Sequence, residues 1–289
     1  MDLLRPLARA ERPAILRIGI TAYQGLYNYR RRATMRSVHR QPENRFSPVG
    51  ICSVLHKPLK PSFADALYDV AQATNAMALV GVGYKVVGPL NALLQLWNMS
   101  YRNSFGHMTH SVHLLATQQL IVGFSPAADA LSVDSVIRNK CLLPKKYSRA
   151  YGGVPTAVNL AATAMYLISG VAKVRSDYGW GWAGGTALRE QVAADAIRKE
   201  VLGGEAGRLA QPIYQAKDAV GLLGVGALAI ELGAPLALTN RKLGQAFALA
   251  AWAMHWGIAT VMGIKFKYNM SGIPYLGYFP IGPVVAKQK

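Results

Sequence analysis

The chain has 289 residues, 52% hydrophobic and only 16% charged, and its lysines and arginines exceed its acids to a net charge of +18. An ordinary soluble domain carries about 25% charged residues, so the composition argues against that class and for a polytopic membrane protein. Two isolated cysteines, Cys52 and Cys141, define neither a disulfide framework nor a metal site, and basic residues scattered through loops between apolar runs exclude a nucleic-acid partner.

The mean hydropathy of +0.17 is modest because several candidate spans contain Asn, Gln, Thr or His, and polar residues in spans face a bundle interior or a cavity. The excess positive charge suits anionic lipid headgroups; docking on acidic partner subunits is the alternative. The first residues are too interrupted by arginine for a signal peptide. An Arg-bearing start is compatible with organelle import, although Asp2 and Glu11 count against it.

Pro13 to Tyr29 is the weakest apolar segment, containing Arg17 and ending in Arg30-Arg31-Arg32. It reads as a short span, with a helix lying in the interface as the alternative. Ala33 to Lys60 is a basic connector in which His39 and His56 read as solvated loop residues. Phe63 to Gly83 is the next predicted span, with Asp65 and Asp69 near its start. A break at Tyr84-Lys85, together with Pro89, predicts a tight turn into a second crossing over Val86 to Met99, extended by Ser100 and Tyr101.

His107, His110 and His113 then open the apolar run Leu114 to Phe124. Spaced three apart, adjacent histidines share a helix face, but no cysteine or acid nearby completes a zinc set, and no metal is predicted. Ser125-Pro126-Ala127-Ala128-Asp129-Ala130-Leu131-Ser132-Val133-Asp134 leads into a basic loop. Val154 to Val171 follows without a charge, long enough to cross a bilayer, and stops at Lys173-Val174-Arg175 ahead of Trp180 and Trp182. Lys173 has two readings here: a side chain snorkelling to the headgroups, or a desolvated base at the mouth of a membrane pocket.

The segment after Lys173 lies outside the bilayer and holds a surface amphipathic helix, Thr186 to Val201, stopped by Gly203-Gly204. Asp218 to Leu238 is apolar around Glu231, which is either hydrogen-bonded to a neighbouring helix or acts as proton relay and counter-ion to Lys173. Leu243 to Ile264 carries His255, either a satisfied core histidine or a functional one, and Ser271 to Lys289 is a Gly/Pro-rich tail. The basic residues weigh more heavily on the side holding that tail and the Lys173 loop, which the positive-inside rule assigns to cytoplasm or matrix. No phosphate-binding glycine loop or serine-hydrolase elbow occurs, and no inverted repeat favours a transporter.

Several of these stretches resemble one known family. Tyr166-Leu167-Ile168-Ser169-Gly170-Val171-Ala172-Lys173-Val174, followed by Trp182 and Gly185, is similar to the core signature of the HTTM family, the vitamin K-dependent γ-carboxylase-like transmembrane proteins. So are the Ser125–Asp134 pattern, Arg45 to Gly50 with Leu55 to Leu59, and a histidine flanked as His255 is. The resemblance implies an all-α, polytopic helical transmembrane bundle of six or seven spans. Residues 1–62 form a basic N-terminal segment, 63–270 the membrane core and 271–289 the tail. It further implies catalytic roles for Lys173, His110, Glu231 and His255, with a quinol as the redox partner. Lys173 accepts a proton from the hydroquinone, O₂ attacks, and His110 stabilises the oxyanion while Glu231 and His255 relay protons. Val112 and His113 depart from the polar residues usual after the family histidine. The peptide-gripping region of the carboxylase itself has no counterpart here, so glutamyl carboxylation is not expected. Two functions therefore stand: a quinol-linked proton-abstraction and oxygenation site, or a non-catalytic subunit of a larger, respiratory-type membrane complex. The host is a bacterial cytoplasmic membrane or a mitochondrial inner membrane.

Overall fold

Helices make up most of the structure, a computed structural model describing residues 4–106 and 112–281. The only strands among the described residues are β1 (Ala8–Arg9) and β2 (Tyr147–Ser148), which pair antiparallel with Ala8 opposite Ser148. The all-α expectation holds. The chain divides into two units, Met1–Val158 with Pro280–Lys289, and Asn159–Phe279, the boundary falling within one long helix.

The first unit is built on α1 (Glu11–Val38), α2 (Pro61–Val80), α3 (Tyr84–Asn103) and α4 (His113–Gly123). Helix α1 runs well past Tyr29, because the arginines that follow are good helix formers and no Gly or Pro interrupts them until after Val38. Arg17 is fully buried rather than a flaw in the segment: its guanidinium donates to the carbonyls of Leu131 (2.5 Å) and Ala78 (3.4 Å) and lies 5.5 Å from the Tyr84 ring centroid. The break between α2 and α3 falls at Gly81–Gly83, one step earlier than Tyr84-Lys85. Gly81 has φ +71°, and a Cβ there would sit 2.0 Å from the Arg17 guanidinium, so only glycine fits.

Three helices meet through amide side chains. Gln24 donates to Asn28 (2.9 Å), Asn28 to Gln95 (2.8 Å), Gln95 to Asn91 (3.1 Å) and to the Ala71 carbonyl (3.0 Å), and Asn75 to the Thr21 carbonyl (2.9 Å). On α1 the buried polar residues recur as Arg17, Thr21, Gln24 and Asn28, and on α3 as Asn91, Gln95, Asn98 and Arg102. Each set follows the i, i+4, i+7, i+11 spacing of a single helix face. The opposite faces are apolar: Val70, Met77 and Val80 on α2, and Val86, Leu90 and Leu93 on α3, are all exposed.

The Ser125–Asp134 stretch secures backbone ends. Ser125 donates to the Val122 carbonyl (2.8 Å), and Asp129 accepts from Arg138 (3.0 Å) and from the Tyr151 hydroxyl (2.8 Å). Ser132 caps α5 (Val133–Asn139) by accepting from the Ser135 amide. The Asp134 carboxylate caps α3 from fifty residues away, accepting from the amides of Gly83 and Tyr84 at 2.8 Å each. The basic connector is likewise pinned to the end of α3, where Ser47 N donates to the Ser104 carbonyl and Leu59 N to the Tyr101 hydroxyl. His56 is exposed as expected, but His39 is not a solvated loop residue. It is buried against the Tyr68 and Tyr101 rings, 2.7 Å from Asp65.

The second unit contains the end of α6 (Arg149–Val174), then α7 (Thr186–Val201), α8 (Ala210–Gln215), α9 (Lys217–Leu232), α10 (Arg241–Met262) and the short α11 (Lys267–Met270). Helix α7 has the expected bounds and ends before Gly203, whose φ is +74°. Helix α9 is shorter than expected, because Gly233 and Pro235 turn the chain into a 3-10 segment over Ala234–Leu238. Asn240 caps α10 by accepting from the Leu243 amide at 3.0 Å. Polar groups again face inward and apolar ones outward: Glu231 and His255 are buried, while Leu222, Leu223, Val225, Leu249, Trp252 and Trp256 are exposed. Among the described residues one helix, α6, is long and apolar enough by composition to cross a membrane.

Two outcomes follow for stability. Asp134→Ala removes both amide acceptors at the start of α3 and is expected to cost about 1–2 kcal/mol, read as a lowered unfolding midpoint in detergent. Burial pushes the His39 imidazole below its ordinary 6.5, partly opposed by Asp65, so the folded state holds fewer protons there than the unfolded chain. Its contribution is therefore full above about pH 6.5 and lost as the pH falls below that value. Between pH 7 and 5, His39→Gln should lose less stability than the parent; equal losses would remove His39 as the cause.

Candidate functional site

The stretch quoted for the family resemblance comes together in the second unit. Near its end, α6 presents Gly170 to α9, where an added Cβ would lie 2.9 Å from the Glu231 Cβ and 3.0 Å from the Leu232 side chain. This close crossing lets the next turn of α6 reach across. Lys173 Nζ donates to Glu231 Oε1 at 2.5 Å and lies 5.4 Å from the Trp182 ring centroid. Trp182 is itself fixed, its Nε1 donating to Ser176 Oγ (3.2 Å) while that hydroxyl donates to the Lys173 carbonyl (2.6 Å). Gly224 on α9 admits the Trp182 carbonyl, which would lie 2.2 Å from a Cβ there, and Gly185 (φ +80°) packs on the Gly221 backbone, whose nitrogen would lie 2.7 Å from a Cβ. Gly170, Lys173, Trp182 and Gly185 thus form one connected piece of structure laid on α9.

The pair is lopsided in exposure, with the Glu231 side chain 6% exposed and that of Lys173 27%. Its second oxygen, Glu231 Oε2, is buried and finds no hydrogen-bond partner among the described residues. A buried carboxylate with one satisfied and one open oxygen has room to accept a proton, and doing so would take the counter-ion from the Lys173 ammonium, so a second anion must then face it. Lys173 is accordingly held by Glu231 and Trp182, not extended away from the protein.

His255 occupies a second group of polar side chains in the same unit. Its Nδ1 is 2.9 Å from the Ala251 carbonyl, which only accepts, so the proton sits on Nδ1. The same nitrogen is 3.2 Å from the Tyr166 hydroxyl, which also contacts the Tyr275 hydroxyl directly. Asn269 donates to Tyr275 (3.0 Å) and Tyr166 (3.4 Å), and Phe266 stands edge-on to the imidazole at 5.1 Å. His255 is therefore a packed, hydrogen-bonded residue. No hydrogen bond joins this group to Lys173 and Glu231 among the described residues.

Of the four residues expected to converge, the structure brings Lys173 and Glu231 into contact and holds His255 in a separate hydrogen-bonded group with Tyr166 and Ala251. His110 lies outside the described residues, as does His107; His113 begins α4, its carbonyl accepting from Thr117. Tyr275, Asn269 and the structural part of Trp182 were not anticipated. A signal was present: Tyr275 and Tyr278 punctuate the stretch read as tail, and both are buried, Tyr278 bonding Thr163 and the Asn159 carbonyl at 2.9 Å.

Removing one member of the pair leaves the other stranded. Lys173→Met is expected to cost about 2–3 kcal/mol, and Lys173→Met/Glu231→Leu to recover most of it. Unfolding midpoints in detergent would read this, and additive losses would refute the coupling.

Compared with family models, with curated proteins and with solved structures, the chain matches none.

Proposed function

We propose that the chain is a multi-pass helical membrane protein whose Lys173–Glu231 pair exchanges a proton with a quinol-type substrate arriving from the lipid. The observation that carries the membrane part is the inverted burial: amides, Glu231 and His255 inside, and aliphatic and tryptophan side chains outside on α2, α3, α9 and α10. Water would favour the opposite arrangement, whereas hydrocarbon favours this one, since every polar group there must find a partner within the protein. Helices α2, α3 and α10, of 20, 20 and 22 residues, are about 30 Å long or slightly more, matching a bilayer core. Their mean hydropathy is held down because an average over the whole helix counts the inward amides as heavily as the outward leucines. Exposed Trp180, Trp252 and Trp256 suit the membrane interface, and a net charge of +18 suits anionic lipids.

The proton-transfer part rests on Lys173 and Glu231 and on the family resemblance of the stretch that holds them. The hydroquinone O–H gives its proton to the open Glu231 Oε2, and the Lys173 ammonium, losing its carboxylate partner in that step, balances the hydroquinone monoanion left behind. A second reading, a non-catalytic subunit of a larger membrane complex, is favoured by the tight packing around His255, which fills with Tyr166, Tyr275 and Phe266 the space a substrate would need.

The protein is expected to stay with membranes through alkaline carbonate washing; release into the wash would end the membrane reading. Purified in mild detergent and supplied with a short-chain naphthohydroquinone and O₂, it should turn over, and Lys173→Ala should lower the rate at least about a hundredfold. Unchanged turnover would remove the Lys173 ammonium as the group that balances the anion formed. Stoichiometric co-purifying subunits with no turnover would favour the second reading.

A further inference from the structure

The first unit contains a small cavity, about 30 Å³, between α1, α2, α3 and the start of α4. That is room for about two waters, the size of one oxyanion group and too small for a quinone ring. Tyr27, Arg31, Asn98 and Arg102 line it together with Met35 and Met99, and no acidic side chain is among its walls. Tyr27 gathers two cations: the Arg31 guanidinium lies 4.9 Å from its ring centroid, and Arg102 donates to its hydroxyl at 2.8 Å. Because that hydroxyl accepts from Arg102, its own proton remains available to a further acceptor.

Asn98 points to an occupant independently. It is 9% exposed, yet its Nδ2 finds no acceptor among the described residues. The walls of the cavity thus carry two guanidiniums, an amide N–H without an acceptor among the described residues and a phenol O–H. A buried donor left open costs free energy that a charged acceptor would return.

We infer that this cavity is a binding site for a phosphate-class oxyanion, held by Arg31, Arg102, Asn98 and Tyr27. Planar guanidinium forks match phosphate oxygens, and the methionine walls tolerate an alkyl group beside the anion. A lipid headgroup and a soluble phosphate ester share that chemistry. The site is independent of the Lys173–Glu231 pair and of the membrane reading.

The test uses the full chain in detergent micelles, titrated with inorganic phosphate, with dihexanoyl phosphatidic acid, and with potassium chloride at matched ionic strength. At least one phosphate carrier should raise the unfolding midpoint above the chloride control. Protection by inorganic phosphate assigns a soluble ester, and protection by the phosphatidic acid alone assigns a headgroup. Arg31→Gln, at an exposed position that leaves the fold intact, and Asn98→Leu should each weaken binding about tenfold. Asn98→Leu should not lower the ligand-free midpoint, because it removes an unsatisfied donor. Absence of protection by both carriers, or binding unchanged in both variants, would overturn the assignment.

Discussion

Everything in the first unit depends on amide side chains from α1, α2 and α3 finding one another out of reach of water. An unpaired amide there costs more than its hydrogen bond returns when made, so the ladder from Gln24 through Asn28, Gln95 and Asn91 constrains more strongly than it stabilises. Rotating α1 or α3 by a single residue would turn its polar stripe out of the interface and strand several groups at once. Helix rotation is thus set by polar matching, and helix distance by small residues. Gly25 lies against the Asn75 amide, and Gly88 and Gly123 bring α3 and α4 close enough that a Cβ on either would meet the other's carbonyl oxygen at 2.7 Å.

The second unit applies the same logic to a charge. Gly170 brings α6 close to α9, and the closeness places Lys173 on Glu231. A buried ion pair is a weak source of stability but a sensitive one, because neither partner tolerates loss of the other. The Tyr166, His255, Tyr275 and Asn269 group is more fully satisfied, which suits a scaffold that holds α6, α10 and the C-terminal turn together.

Much of this was legible in the residues. The Gly203-Gly204 pair announced the end of α7, Tyr84-Lys85 with Pro89 announced a turn close to where α2 gives way to α3, and Glu231 was named as a counter-ion candidate for Lys173. Other features were not. Arg17 looked like a defect because a linear scan sees a charge inside an apolar run, and it cannot see the carbonyls of Ala78 and Leu131 that receive it. His39 looked solvated because it lies in a basic connector, yet two tyrosine rings from other helices close over it. The inverted stripes of α1 and α3 were readable in principle as polar residues at helical period within apolar helices, a pattern that a hydropathy average erases.

The amino-acid order alone determined the helical class, most of the helix breaks and the chemistry of the side chains placed near them, because these follow from local propensity and from glycine's access to positive φ. Only the tertiary structure decided which polar groups meet. Asn28 and Gln95 are 67 residues apart, Lys173 and Glu231 58, and Tyr166 and Tyr275 109. Such pairs form only when whole helices dock at one rotation and one separation, and that docking is set by the packing of all the side chains between them.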